Sequence, residues 1–325
     1  MGTGTIFDIR TAREFEAMAL NVFRMQYSEN LVYQEFCKHL NTKPEDVREL
    51  NHIPFLPIGF FKSKNIISIG KKYETVFTSS GTTGSRISKH LVSDIQMYEK
   101  SFREGFSYFY GGIDRYCVLA LLPSYLERQG SSLIYMVDDF IKQSGHEKSG
   151  FYLDDLEGLN DQLTQLEAAG TKTLLIGVSF ALLDLVERHP LKLQNTIVME
   201  TGGMKGRRKE LIREELHQHL KSGFGVDEIH SEYGMTELLS QAYSPGDGRF
   251  FTPPWMQVMI RDTEDPMHYP PPGKTGGINV IDLANLDSCA FIATQDLGKL
   301  HPNGSFEILG RFDHSDIRGC NLMVL

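Results

Sequence analysis

Between residues 115 and 225, short and wholly apolar runs alternate with amphipathic stretches, and this alternation limits the fold more than any other feature of the chain. RYCVLALLPS, TKTLLIGVSF and NTIVMETGG show no polar face, so each reads as a strand buried on both sides. SSLIYMVDDFIKQSG, ALLDLVERHP and KGRRKELIREELHQHLKSGF read as helices; in the first two, apolar residues recur at three- and four-residue spacing, and the third is a charged helix. Buried strands joined through helices are connected by crossovers. The expected fold is therefore α/β, with a layered and mostly parallel sheet.

The flanks have another texture. TAREFEAMALNVFRMQYSENLVYQEFCKHL predicts helices within residues 10–50, and NHIPFLPIGFFKS an extended segment punctuated by proline. KKYETVFTSSGTTGS reads as a strand entering a loop of glycine, serine and threonine, and VSDIQMYEKSFREGFSYFY as a long amphipathic helix. Beyond residue 245, PWMQVMI, GGINVIDL, CAFIAT and SFEILGR are short strands between turn residues, which predicts a small antiparallel β subdomain. The expected division is residues 1–245 as α/β core with a helical start, 246–311 as the β-rich part and 312–325 as a hinge-like tail.

Charge and cysteine usage narrow the function classes. With 33 basic against 42 acidic residues the net charge is −9, which argues against a nucleic-acid binder. No run approaches the roughly 20 apolar residues of a transmembrane segment, and MGTGTIFDIRTAREF has no secretory h-region. Cys37, Cys117, Cys289 and Cys320 are scattered, so neither a zinc site nor a disulfide framework is expected, and the thiols suit a cytoplasmic protein.

Three motifs point to nucleotide chemistry. Thr78-Ser79-Ser80-Gly81-Thr82-Thr83-Gly84-Ser85 combines two glycines, which bring backbone N–H groups close to a ligand, with hydroxyls that donate to phosphate oxygens. It lacks the spacing of a Walker A loop, and taken alone it is also an ordinary polar turn. Ser231-Glu232-Tyr233-Gly234-Met235-Thr236-Glu237, after a short strand at VDEIH, offers a ring for a base, a hydroxyl for phosphate and a carboxylate for Mg²⁺. The same residues also read as a turn opening a helix, with Glu237 in its first turn. Thr294-Gln295-Asp296-Leu297-Gly298, in a strand-to-turn context, places an aspartate that can accept from ribose hydroxyls, and Gly310-Arg311-Phe312-Asp313 follows.

Together and in this order, these segments resemble the adenylate-forming superfamily of acyl-CoA synthetases, adenylation domains and firefly-type luciferases. FTSSGTTGS is similar to its phosphate loop, YGMTE to its adenine and magnesium motif, QDLG to its ribose motif, GRFDHSDIRG to its hinge and TGGMKGRRKEL to its adenine-passing segment. IPFLPIGFFK, GGMKGRR and the RGC near the end resemble more closely the acyl-protein synthetase family of bacterial bioluminescence operons. The resemblance implies ATP and Mg²⁺ as cofactors, a carboxylic and most of all a fatty acid as substrate, and an acyl reductase or other acyl-accepting protein as partner. It implies that Ser79, Ser80, Gly81, Thr82, Thr83 and Gly84 hold phosphate and that Gly202, Gly203 and Tyr233 frame adenine. Thr236 would contact phosphate, Glu237 ligate Mg²⁺, Asp296 and Arg311 bind ribose, and Cys320 accept the acyl group.

There are departures from the family pattern. Arg86-Ile87-Ser88-Lys89 replaces the usual Pro-Lys-Gly after the loop, and Asp313 and Asp316 compete for the hinge place. Five residues follow Cys320, so a lid domain with its lysine is not expected, and Lys205, Arg207 and Arg318 are candidates to replace that lysine. Transfer to Cys320, release to free CoA or a carrier thiol, and a nucleotide-binding homologue without turnover remain alternatives. His217 and His219 are expected to face solvent, and His230, just before SEYGMTE, could line the carboxylate pocket. Phe106, Tyr108, Phe109 and Tyr110 line either an acyl tunnel or the core.

Overall fold

The computed structural model describes residues 6–79, 87–123, 130–202 and 211–312. They form two compact units, the first built from residues 1–98, 236–240 and 251–325, the second from 99–235 and 241–250. Along the chain, the first unit opens with α1 (Ala12–Glu29), α2 (Leu31–His39), β1 (Leu56–Pro57), β2 (Thr75–Thr78) and β3 (Lys89–Val92). The chain passes into the second unit along α3 (Ile95–Tyr110), the long helix expected there. It continues through β4 (Cys117–Leu121), α4 (Ser132–Ser144), β5 (Gly150–Phe151), α5 (Leu156–Ala168), β6 (Thr173–Val178), α6 (Ser179–Arg188), β7 (Thr196–Thr201), α7 (Arg213–Phe224), β8 (His230–Tyr233) and β9 (Ala242–Ser244). It returns to the first unit with β10 (Met256–Arg261), β11 (Thr275–Asp282), β12 (Phe291–Leu300) and β13 (Phe306–Arg311).

In the second unit the sheet order is β5-β4-β6-β7-β8-β9, and every neighbouring pair is parallel except β8 with β9. The apolar runs read from the sequence are its central strands, and Val118, Leu119, Leu174, Leu175 and Ile176 are fully buried. Leu163, Leu182, Leu220 and Phe224 from the helices complete that core. His217 departs from expectation: it is buried, whereas His219 on the same helix is exposed. Leu216, Leu220 and Phe224 define the inward face of α7, and His217 shares it because position i+1 still lies within a wide helical stripe.

In the first unit, β10 to β13 form the expected antiparallel ladder, joined by β1 as a parallel neighbour of β12. Of the proline-punctuated segment, Leu56–Pro57 alone pairs as strand, between short 3-10 turns at Leu50–His52 and Ile58–Lys62. The β-rich stretch packs with the N-terminal helices. A capping box of Thr11 and Glu14 starts α1, and Asn30 both closes α1 and caps α2. Buried Gln26 donates to the carbonyls of Asn285 (2.9 Å) and Leu286 (2.8 Å) and accepts from the Ala290 amide (3.0 Å). Asn30 donates to Ser288 at 2.8 Å. These side chains satisfy a buried loop between β11 and β12 that has no ladder of its own.

Candidate functional site

The first unit holds Ser79, Thr236, Glu237, Asp296 and Arg311. β2 and β3 form a two-stranded hairpin whose connection is the glycine and hydroxyl loop, and Ser79 stands at its stem. The Ser79 hydroxyl accepts from the Ser88 amide at 2.9 Å, and the Ser79 amide donates to the Ser88 carbonyl at 3.1 Å. Ser88 is in turn a neighbour of the Glu237 carboxyl and favours its charged form, so the stem of the loop and the acidic end of YGMTE meet at one serine. Glu237 is 5% exposed, and burial raises its pKa against the opposing effects of Ser88 and of the Arg311 and Lys62 charges.

Thr236–Ser240 adopts neither helix nor strand. Side chains distant in sequence take the place of secondary structure. His90 Nδ1 lies 2.8 Å from the Thr236 carbonyl, and Asn285 donates to the Glu237 carbonyl at 2.8 Å. The buried Asp282 carboxylate accepts from the amides of Leu239 (2.7 Å) and Ser240 (3.0 Å). The strand before this segment is His230–Tyr233 rather than VDEIH, and no helix follows it among the described residues.

Asp296 lies inside β12, not at a turn, and Arg311 is its register partner on β13, with Nε 3.3 Å from the carboxylate. The pairing slips between Leu297 and Gly298, a bulge that re-aims the strand just past Asp296. A Cβ on Gly298 would stand 2.7 Å from the Glu307 carbonyl and from Ile278, so packing rather than a turn demands this glycine.

Gly202 and Tyr233 belong to the second unit, at the C-terminal ends of β7 and β8, where parallel sheets bind their ligands. Gly202 has φ +69°, a conformation costly for other residues, and its carbonyl accepts from Ser179 at 2.8 Å. Tyr233 is buried with its ring edge against Phe250. Beneath them lies a polar network that the sequence did not reveal. Glu200 meets Arg213 at 2.5 Å and His217 at 3.6 Å, and Thr201 donates to Glu232. Burial pushes Glu200 up, but His217, Arg213 and Ser231 outweigh it and hold the carboxyl below its ordinary value. Glu232 is pushed up to about 7 by burial, against its Thr201 bond and with the Glu200 charge adding.

Ser80, Gly81, Thr82, Thr83, Gly84, Gly203 and Cys320 lie outside the described residues, as do Arg86, Lys205, Arg207, Asp313, Asp316 and Arg318. Lys89 is exposed at the start of β3. Phe106 is core and Tyr108 is 62% exposed, while Tyr110 meets His230 at 3.2 Å. Lys62, an exposed residue whose charge acts on Glu237, was not among the candidates from the sequence; its signal was a lysine closing the run IPFLPIGFFK.

No family model matches the chain. It is 24% identical over 347 residues, 99% of this chain and 90% of its relative, to a long-chain-fatty-acid–luciferin-component ligase of Vibrio harveyi. Among solved structures, a 2-hydroxyisobutyryl-CoA ligase in the postadenylation state with 2-HIB-AMP matches with TM-score 0.65 and 11% identity, over 93% of this chain and 68% of that one. ATP-bound MatB from Rhodopseudomonas palustris matches with TM-score 0.54 and 20% identity, over 73% of this chain and 47% of that one. The chain has the adenylate-forming ligase fold. The resemblance read from the motifs is thereby borne out, and the chain spans about half the length of MatB. Within the adenylate-forming fold, the described residues include no helix long and apolar enough to cross a membrane.

Proposed function

We propose that this chain joins a carboxylic acid to the α-phosphate of ATP and passes the acyl group to the thiol of Cys320. The observation that carries the reading is the contact chain Glu237–Ser88–Ser79, which ties a buried carboxylate to the stem of a hydroxyl-rich loop. The fold and the whole-length relative support it. That relative is named for a long-chain fatty acid, and a fatty acid is the substrate proposed here.

In the first step a carboxylate oxygen bonds to the α-phosphorus, the α–β phosphoanhydride bond breaks, and pyrophosphate leaves with the bond electrons. In the second, the Cys320 thiolate attacks the acyl carbonyl, AMP leaves, and the thiol proton goes to solvent. Loop residues Ser79, Ser80, Gly81, Thr82, Thr83 and Gly84 would hold the phosphates, assisted by Thr236. Gly202, Gly203 and Tyr233 would frame adenine, and Asp296 with Arg311 would hold ribose. An acyl reductase or other acyl-accepting protein would then take the acyl group from Cys320.

The residues fit a Mg²⁺ ion delivered with the nucleotide. Glu237 is a hard oxygen donor whose anionic form burial disfavours and a cation would favour. Among the described residues no three His, Cys, Asp or Glu side chains converge as a metal cage, so phosphate and water would supply the other ligands. When bound, Mg²⁺ supplies neutralisation of the charge developing on the phosphates. The chain's own groups align the phosphates and the acid, which is the larger demand of this chemistry.

The test is intact-protein mass spectrometry after incubation with Mg²⁺-ATP and a panel of fatty and aryl acids. A hydroxylamine-labile adduct on wild type and none on Cys320→Ser is expected. AMP release that depends on added CoA or a carrier thiol, with no adduct, would overturn transfer to Cys320. No acid-dependent exchange of pyrophosphate into ATP would overturn activation itself.

A further inference from the structure

His90 and Asn285 are buried polar residues with no place in the activation chemistry as described, yet both point at the main chain of the acidic motif. His90 is fully buried in β3, two residues after Ser88, and the two grip neighbouring parts of one target. Ser88 neighbours the Glu237 side chain, and His90 reaches the Thr236 carbonyl. The other ring nitrogen lies 3.0 Å from the Asn285 Oδ1, and the Asn285 amide nitrogen donates to the Glu237 carbonyl. Phe61 stands edge-on to the imidazole, with centroids 5.7 Å apart, and fixes its plane.

A segment without helix or sheet bonds keeps its shape only through such side chains. Asp282 holds the amides of Leu239 and Ser240, while the carbonyls of Thr236 and Glu237 depend on His90 and Asn285. We propose that His90 and Asn285 are positioning residues: they set the backbone of Thr236–Glu237, and so fix how the Glu237 carboxylate and the Thr236 hydroxyl are presented to Mg²⁺ and nucleotide. An imidazole suits this task because one rigid ring sets a nitrogen beside each of two chain segments; both neighbours are acceptor oxygens, so the neutral ring donates its single N–H to one of them and packs against the other. The proposal rests on the functional reading for what is aimed, but the backbone clamp is testable without turnover.

The experiment compares His90→Phe, His90→Gln and Asn285→Leu with wild type. In ligand-free protein, hydrogen exchange followed by mass spectrometry should quicken in peptides covering 236–240 of His90→Phe, with peptides from β10–β12 unchanged. In pyrophosphate exchange, the Mg²⁺ concentration for half-maximal rate should rise about tenfold or more, as for other residues that orient a metal ligand, while the acid KM stays put. His90→Gln, which keeps an N–H donor for these oxygens, should restore much of both. Asn285→Leu should repeat the effect, and it serves if His90→Phe fails to fold. Unchanged protection of 236–240 would overturn the clamp. Altered protection with an unaltered Mg²⁺ requirement would overturn its role in aiming Glu237. Wild type inert in pyrophosphate exchange would sink the functional reading, and hydrogen exchange would still decide the clamp.

Discussion

Asp296 and Arg311 face each other across the β12–β13 ladder, yet the arginine side chain is 72% exposed and the aspartate 12%. An ion pair so open to water is worth at most about 1 kcal/mol of stability. Charge-assisted hydrogen bonds to ribose hydroxyls are worth more, about 1.5–3 kcal/mol. Asp296→Ala should therefore leave the unfolding midpoint nearly unchanged and raise the KM for ATP by roughly tenfold or more. Thermal melts set beside pyrophosphate exchange at varied ATP check this. A lowered midpoint with unchanged ATP dependence would make the pair structural.

Lys62 is exposed and its charge reaches buried Glu237. Exposed lysines seldom stabilise a fold, so Lys62→Met should cost well under about 1 kcal/mol. Its ammonium is available to polyphosphate, and the expected effect is a several-fold loss of kcat/KM for Mg²⁺-ATP that deepens at low salt. Titrating exchange activity against ionic strength tests it. Equal salt slopes for variant and wild type would remove Lys62 from the phosphate field.

Glu232 makes folding depend on pH in a stated direction. Its carboxyl, pushed up to about 7 by burial, keeps a proton that the unfolded chain releases near pH 4.3 or so. Stability from this group is full below the unfolded value and lost as pH rises towards 7, with a slope of up to about 1.4 kcal/mol per pH unit. Glu232→Gln should flatten that part of the curve and be more stable than wild type at pH 8. Denaturant unfolding from pH 5 to pH 8 reads the slope. A wild type that gains stability across this range would contradict the assignment.

Three of the four cysteines are buried and free. Burial pushes Cys37 and Cys289 up to about 12 and raises Cys117, so thiolate is scarce at all three. Native protein treated with iodoacetamide should leave them unmodified, with fast alkylation confined to Cys320. Peptide mapping after a timed pulse decides, and rapid labelling of Cys37, Cys117 or Cys289 would reopen the choice of acyl acceptor.

The parts of the fold legible in the sequence are those whose cause is local. Leu119, Leu175 and Val198 sit in runs apolar on both faces, and such runs have few alternatives to a central strand. His217 escaped because its partners, Glu200 and Ser231, come from strands β7 and β8. Its charged neighbours on α7 advertised a solvated face. The QDLG segment suggests a strand running into a turn because Asp-x-Gly usually marks one, whereas Gly298 answers to the Glu307 carbonyl across the ladder. The residues after YGMTE imitate a helix start, and nothing nearby in sequence announces that His90, 146 residues earlier, satisfies the carbonyl a helix would have used. The motifs named the chemistry; the supports that aim it came from distant segments.

Gln26 ties α1 to carbonyls 259 and 260 residues further along the chain. During synthesis, the N-terminal helices therefore leave the ribosome long before their partners exist. The parallel sheet between them can close as it is made, because its strands and crossovers follow one another. α1 must wait for the loop between β11 and β12, its apolar face exposed meanwhile. In this architecture α1 is among the last elements to be secured.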